Sequence, residues 1–540
     1  MATIAAVGGP IPAPRAEQEL RGLMGLITRI IDQLRGNILA NLFFFLALVI
    51  GFLHGWLKFK YRYSIVTFVY DIPMIIALIL VMIGMKRTDT LFPDCKVSTS
   101  LKLLVGCSIV YCILPFDVPW LVRLSSLRGW CFAPLMMLLG YHLVRSVRQM
   151  EVFIWWVILL GTGTAIYGIF FQTEAEVRAL MLLDPEMEMK LRGSFYATST
   201  GSSFRRYSTY VTSAVFGSVM AICTTLSVSR MLVPGVSWFQ RAILLACSAA
   251  CSYSVLLTGS RTSLLMLGIG LMLTTIFYRG PARFMFVPAL LFAAVFAGVQ
   301  LTEGSAGERF SSLLHFDTVV GRVKIVVNPA ISVMMETPLG NGLGRSGHGV
   351  PFVFYRVFQD FKIIPIDGDI GRLVVDMGLV GLVVYVVMLY SGLSDSVRWM
   401  WLLRDSNLGI IAAPTGTLFI LGLIQVFTGS PYLGIPAGML LWILFGGLRR
   451  VVEEYERLSA VEGEAVEDLP QFVSFIKRKR MVSMFPDGAK RLNLTNRSVS
   501  ASDKARFVSV SAAPRQESPA GARPNSKLPL LFGRRPRSRK

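Results

Sequence analysis

Residues 365–393 read PIDGDIGRLVVDMGLVGLVVYVVMLYSGL. The opening of this stretch carries Asp367, Asp369, Arg372 and Asp376, and the remainder is an apolar run. At 1.5 Å of rise per residue such a run is long enough to cross a hydrocarbon core of about 30 Å. We read it as a polar external segment that feeds directly into an uninterrupted membrane helix. Immediately upstream, residues 321–349 read GRVKIVVNPAISVMMETPLGNGLGRSGHG. Glycines at 340, 342, 344, 347 and 349 allow tight turns and close approach of backbone to a ligand. Arg322, Lys324, Arg345, His348 and Arg356 bring charge to the same region, so chemistry is expected here.

The surrounding composition agrees with a membrane protein. Of 540 residues 53% are hydrophobic and the mean hydropathy is +0.58, too apolar for an ordinary soluble enzyme. The net charge of +21 resides mostly in short inter-helix loops and in the tail after Lys477, where bilayer topology and anionic headgroups explain it better than nucleic acid. Seven cysteines sit mostly in apolar runs without a CxxC pair, as small packing residues do.

With about 20 apolar residues per crossing, spans are expected near 37–56, 63–84, 101–116, 127–144, 152–172, 208–228, 241–258, 262–278, 284–300, 370–391, 408–428 and 433–448. The expected fold is an all-α polytopic membrane protein of about twelve helices. Residues 1–36 form a cytoplasmic leader, 37–449 the transmembrane domain and 450–540 a cytoplasmic tail. Loop arginines at 145, 148, 230, 241, 279 and 283 then fall on one side, which puts both termini in the cytoplasm. Lys58, Lys60 and Arg62 fall on the other side and fit this orientation poorly. Segments 173–207 and 301–369 become extracytoplasmic loops, the second lying between spans nine and ten. After the acidic, helix-prone stretch at 451–469, residues 477–540 carry 17 Lys and Arg against three Asp and Glu and are read as a disordered basic tail.

Several residues could carry chemistry. Arg261, in the short LLTGSRTSLL hairpin, is either a fixed cation for an anionic headgroup or an interfacial arginine reaching to water. Arg192 poses the same choice. GNGLGRSG lacks the GK[ST] ending of a nucleotide loop; such a run is more often a turn-rich loop than a phosphate cradle, although its glycines and Arg345 could present backbone N–H groups and a cation to an anion. Of four histidines, His348 is best placed as a proton acceptor. Asp367 and Asp369 could serve as bases, although Asp369 also suits a helix N-terminus. Asp376 lies inside the span, where a carboxylate faces lipid, a cavity or a partner, and a cavity is the first expectation. No His/Cys/Asp cluster has the spacing of zinc ligands.

RGSF at 192–195, LLTGSRTSLL, GRVKIVVNPAISVMMETPLGNGLG and DGDIGRLVVDMGLVGL, taken in order, resemble the motifs of the O-antigen ligase and Wzy-type polysaccharide polymerase superfamily. The similarity covers roughly residues 190–392. It implies a GT-C-like fold and a metal-independent, cofactor-free, inverting glycosyltransferase of the bacterial inner membrane. Such an enzyme moves a glycan from an undecaprenyl-diphosphate-linked oligosaccharide donor to a glycan or lipid acceptor at the outer face, for cell-surface polysaccharide or O-antigen biosynthesis. Carried over by position, Arg192 and Arg261 resemble the diphosphate-holding arginines, and Arg322 matches the one that opens the loop helix. Where the ligase branch has a histidine base this chain has Asp367, and Asp376 stands at the following glutamate place. That departure favours a polymerase, or a ligase whose base is an aspartate or His348. Among Asp367, Asp369 and His348 the base stays open. A transporter using the same arginines would call for charges in several spans and pseudo-symmetric halves, which the sequence does not present.

Overall fold

The long apolar runs fold as helices because only a helix satisfies every backbone N–H and C=O within one segment in hydrocarbon. The computed structural model describes residues 15–61, 68–85, 90–114, 116–183, 195–198, 201–233, 236–277, 316–350, 357–358, 361–366, 368–404, 409–426 and 436–463. The helices are α1 Arg15–Tyr61, α2 Asp71–Gly84, α3 Lys96–Ile113, α4 Trp120–Leu143, α5 Val147–Phe170, α6 Glu174–Leu183, α7 Ser213–Met231, α8 Trp238–Leu257, α9 Arg261–Phe277, α10 Phe316–Glu336, α11 Gly368–Leu403, α12 Gly409–Gln425 and α13 Ala437–Gly463. They belong to one compact unit, Met1–Asp468. Residues 469–540, with the expected basic tail, lie outside the described residues, as does the expected span at 284–300.

Six of the described helices are long and apolar enough to cross a membrane, and three shorter apolar ones lie at 71–84, 261–276 and 411–423. Their outward faces carry large apolar side chains such as Ile72, Ile83, Leu103 and Val383, as lipid-facing helices do. This is a helical membrane protein. Two expected boundaries are absent from the backbone, since α1 runs from the leader into the first span and α13 runs from the last span through the acidic stretch to Gly463.

The expected Gly/Ser/Thr-rich loop after α6 contains a short antiparallel hairpin, β1 Phe195–Thr198 with β2 Gly201–Phe204, in which Phe195 pairs with Phe204. Beyond it, Arg206 Nη1 donates to the Gly168 carbonyl at 2.7 Å and to that of Ile169, closing the C-terminus of α5 where a cation is favoured. The Gln172 side-chain oxygen Oε1 accepts from Tyr207 N and Ser208 N, both at 2.9 Å, so this connection is a fixed part of the helix bundle.

Small residues set the tightest packing. A Cβ at Gly140 would lie 2.0 Å from the Ile443 carbonyl, and one at Gly446 2.0 Å from that of Met137, so α4 and α13 meet backbone to backbone. Beside them Trp399, Phe419, Trp442 and Phe445 form an aromatic cluster. The seven cysteines are unpaired, five of them buried among apolar neighbours.

The structure corrects the expectation of an uninterrupted tenth span. Gly378 has φ 59° and ψ −149°, at the edge of the region that only glycine occupies readily, and it breaks α11 in two. The arms 368–377 and 379–403 fold back on one another: a Cβ at Gly381 would meet the Met377 Cβ at 2.4 Å and a Leu373 methyl at 3.0 Å. The sequence concealed this break because a single glycine is common within an apolar helix and the residues beside it, Met377 and Leu379, are apolar.

Candidate functional site

A broken helix leaves backbone groups without partners, and unpaired groups in a dry interior are costly. Here the segment 337–342 supplies the partners. Asn341 N donates to the Val375 carbonyl at 2.8 Å, Gly342 N donates to that of Asp376 at 3.1 Å, and Leu379 N donates to the Pro338 carbonyl at 2.9 Å. The approach is close enough that a Cβ on Gly378 would sit 2.2 Å from the Pro338 oxygen. The stretch expected to form part of an external loop is therefore built into the helix bundle.

From this junction the loop runs along α4. Its glycines lie where it touches: a side chain at Gly342 would strike Phe116 and one at Gly344 would strike Val122. Further along, Ser125 Oγ donates to the Gly349 carbonyl at 2.7 Å, and a Cβ at Gly129 would lie 2.9 Å from both Gly349 Cα and His348 Cδ2. Gly340, Gly342, Gly344, Gly347 and Gly349 all have φ between 71° and 93°, so the path depends on residues that accept left-handed backbone.

Asp376 fastens this arrangement. One carboxylate oxygen accepts from Ser346 N at 2.7 Å, and the other accepts from Trp130 Nε1 at 3.0 Å and Ser126 Oγ at 3.3 Å. The cavity expected beside this carboxylate is replaced by partners: Asp376 is fully buried where loop, α4 and α11 meet, and both of its oxygens are hydrogen-bonded. Of the two readings of the glycine-rich stretch, the geometry is that of the turn-rich loop. The N–H groups of Asn341, Gly342 and Ser346 are engaged with the protein's own oxygens rather than presented outward.

His348 lies one step from that node. Its N donates to Ser346 Oγ at 3.2 Å, and its ring packs 4.5 Å from the Trp130 ring. The imidazole is buried, and among the described residues its Nε2 has no hydrogen-bond partner. Burial, then the positive charge of Arg372, pushes the imidazole down to about 3; the Gly129 backbone opposes the shift and Arg128 adds to it. His348 is therefore held neutral at physiological pH.

Of the other expected site residues, Arg345, Asp369 and Arg261 lie among the described side chains. Arg345 is half-buried, its guanidinium 5.6 Å from the Phe361 ring centre, and its carbonyl accepts from Ile364 N at 2.9 Å. Asp369 is buried and accepts from Tyr385 Oη at 2.9 Å, while its N donates to the Val426 carbonyl at 3.1 Å. Arg261 begins α9 in the tight hairpin the sequence implied, three residues separating it from the end of α8. There Gly259 takes φ 57° and Ser260 Oγ accepts from Ser263 N at 3.4 Å. Arg322 lies on α10, its side chain outside the described set, and Arg192 and Asp367 lie outside the described residues.

Arg128 escaped the sequence reading. It sits beside Gly129 on α4, paired with Asp71 at the start of α2, and donates to Tyr70 Oη at 2.5 Å. An arginine and an aspartate in two apolar segments were the available signal, because charges at membrane depth need partners. Trp130 and Ser346 carried no comparable signal: an indole in a span and a serine in a glycine-rich loop look like packing and turn residues.

The arrangement offers an enclosed imidazole within the field of Arg372 and of the Asp71-paired Arg128, in a loop whose position is set by a buried carboxylate. No protein-family model matches the chain, and comparison with curated proteins finds no match.

Proposed function

We propose that the chain is a membrane glycosyltransferase of about twelve spans and GT-C-like form. It polymerises undecaprenyl-diphosphate-linked glycan, or transfers it to an acceptor, at the outer face of the cytoplasmic membrane. The observation that carries the reading is His348: a buried imidazole, its Nε2 without a hydrogen-bond partner among the described residues, in the loop that also bears the sequence resemblance. A ring nitrogen without a partner inside the protein is one that a substrate hydroxyl can meet.

In this reading the acceptor hydroxyl attacks the anomeric carbon from the side opposite the diphosphate. A new C–O bond forms, the bond to the diphosphate oxygen breaks, and the leaving group departs with the electron pair. The hydroxyl proton passes to His348, or to Asp367 or Asp369. Charge growing on the leaving diphosphate is met by fixed guanidinium groups, for which Arg192, Arg261, Arg322 and Arg345 are the candidates; that is stabilisation stronger in the transition state than in the ground state.

A second reading has one specific observation in its favour. A helix interrupted inside the bundle and completed by a loop is the construction secondary transporters use at their binding sites, and α11 has it at Gly378. Transport of the same lipid-linked substrate is the alternative.

The test is an assay of purified protein in nanodiscs with an undecaprenyl-diphosphate oligosaccharide and EDTA, comparing wild type with Arg261→Ala, His348→Ala and Asp367→Ala. A ladder of products lost in Arg261→Ala and in one of the two base variants supports a polymerase and names the base. Transfer to an added acceptor without a ladder supports a ligase. Absence of diphosphate release with every acceptor moves the reading to transport.

A further inference from the structure

A second groove lies away from the site just described, between the α1 segment 41–48 and the start of α5. It encloses about 530 Å³. Phe44, Phe45, Leu48, Val152, Phe153 and Trp156 form its apolar walls. Its polar lining residues, Asn41, Ser146, Arg148 and Gln149, all belong to one end, the beginning of the α5 helix and the facing turn of α1. The cavity is therefore amphiphilic along its length.

Its dimensions match one leaflet. From Ser146 to Trp156 the helix rises about 15 Å at 1.5 Å per residue, half of a hydrocarbon core of about 30 Å. Val152 and Trp156 are 49% and 43% exposed on the outer surface of the bundle, so the groove is open to the surrounding bilayer. The polar end is positive. Arg148 is exposed, and among the described residues it makes no ion pair. The nearest carboxylate in sequence, Glu151, is already engaged by Arg230 at 2.8 Å. Arg145 stands three residues before Arg148, and the α5 N-terminus adds its own partial positive charge. Arg145 and Arg148 are also among the loop arginines whose positions point to the cytoplasmic side.

We infer that this groove is a binding site for an anionic phospholipid of the inner leaflet. One acyl chain lies along Phe44, Phe45, Val152, Phe153 and Trp156, and its phosphate lies at Arg148 and the first turn of α5. Basic pockets between helices on that side are suited to such headgroups. The inference is independent of the glycosyltransferase reading.

Native mass spectrometry of the full-length protein, released from nanodiscs of equal phosphatidylglycerol and phosphatidylethanolamine, tests it directly. Wild type is expected to retain one phosphatidylglycerol in preference to phosphatidylethanolamine by at least about fivefold. Arg148→Glu should remove the preference, and Val152→Trp, which fills the groove, should remove the retained lipid. Equal retention of the two lipids overturns the anionic headgroup. Retention unchanged in Val152→Trp, or no retained lipid in wild type, overturns the groove. Fluorescence gives a second measurement, with a conservative substitution in place of a bulky or charge-reversing one. Phosphatidylglycerol brominated along its chain should quench wild-type emission more than phosphatidylethanolamine brominated in the same way, with the excess missing in Trp156→Phe; an excess retained in that variant overturns the placement of the chain.

Discussion

The Tyr385 hydroxyl donates a hydrogen bond of 2.9 Å to the carboxylate of Asp369, although the two residues lie sixteen positions apart within α11. In an unbroken helix that separation would span about 24 Å. The bond exists only because the chain folds back at Gly378. Tyr385→Phe would leave a buried carboxylate oxygen short of a donor, at a cost of about 1–3 kcal/mol. Thermal unfolding in detergent should show that loss. Asp369→Ala combined with Tyr385→Phe should cost less than the two single losses added, because the pair acts as one; simple additivity would refute a direct coupling.

Gly378→Ala is expected to be far more damaging. The added methyl meets the Pro338 oxygen and the Gly340 nitrogen in a backbone conformation alanine seldom adopts. A loss of more than about 3 kcal/mol is expected from strain and clash together. Gly163→Ala is the matched comparison, since nothing lies within 4 Å of the new methyl. There a helical alanine should leave stability unchanged or raise it by up to about 1 kcal/mol. Melting curves that rank the two variants the other way would contradict the break in α11.

Asp376→Ala should free the loop from α4. The substitution leaves Ser346 N, Trp130 Nε1 and Ser126 Oγ without their shared acceptor. Each stranded donor costs about 1–3 kcal/mol unless water replaces the carboxylate. Proteolysis and hydrogen exchange should locate the released segment at 337–350. Protection equal to wild type there would show that the glycine contacts alone hold the loop.

His348 sets an acid limit on the fold. Its imidazole stays neutral in the folded state down to about pH 3, whereas in the unfolded chain it takes a proton near its ordinary value of 6.5. Between these values the unfolded state binds the extra proton, so stability falls as pH falls, by about 1.4 kcal/mol per unit. Above 6.5 this contribution is complete and constant. Midpoints of denaturation followed from pH 7 to pH 4 should show this slope, and His348→Gln should reduce it by one proton's worth. An unchanged slope in His348→Gln would mean that other groups dominate acid unfolding.

Much of this was legible in the chain, and the illegible parts have physical causes. Apolar runs announce helices because length and composition suffice for that, and LLTGSRTSLL announced a tight hairpin because so few residues separate two runs. Asp376 declared itself as an inward carboxylate by the cost of any other position. The break at Gly378 did not, since one glycine in an apolar helix is common and its φ depends on a loop more than thirty residues earlier. For the same reason the glycines of 340–349 read as a possible ligand cradle. Sequence shows that N–H groups can be presented but not that the Val375, Asp376 and Pro338 backbone would meet them. Arg128 was hidden by its span, and Asp71 by an expected boundary that began the span earlier.

The way segment 337–342 completes α11 also bears on how this protein can change. Residues 125–130, 337–350 and 375–379 form one hydrogen-bonded and sterically fitted junction, yet the chain delivers them as three distant pieces. Exchanging the glycine-rich loop alone, by recombination or by grafting, would strand the carbonyls of Val375 and Asp376 and set new side chains against Gly129. A graft of this loop that keeps the fold has to carry residues 125–130 and 375–379 with it.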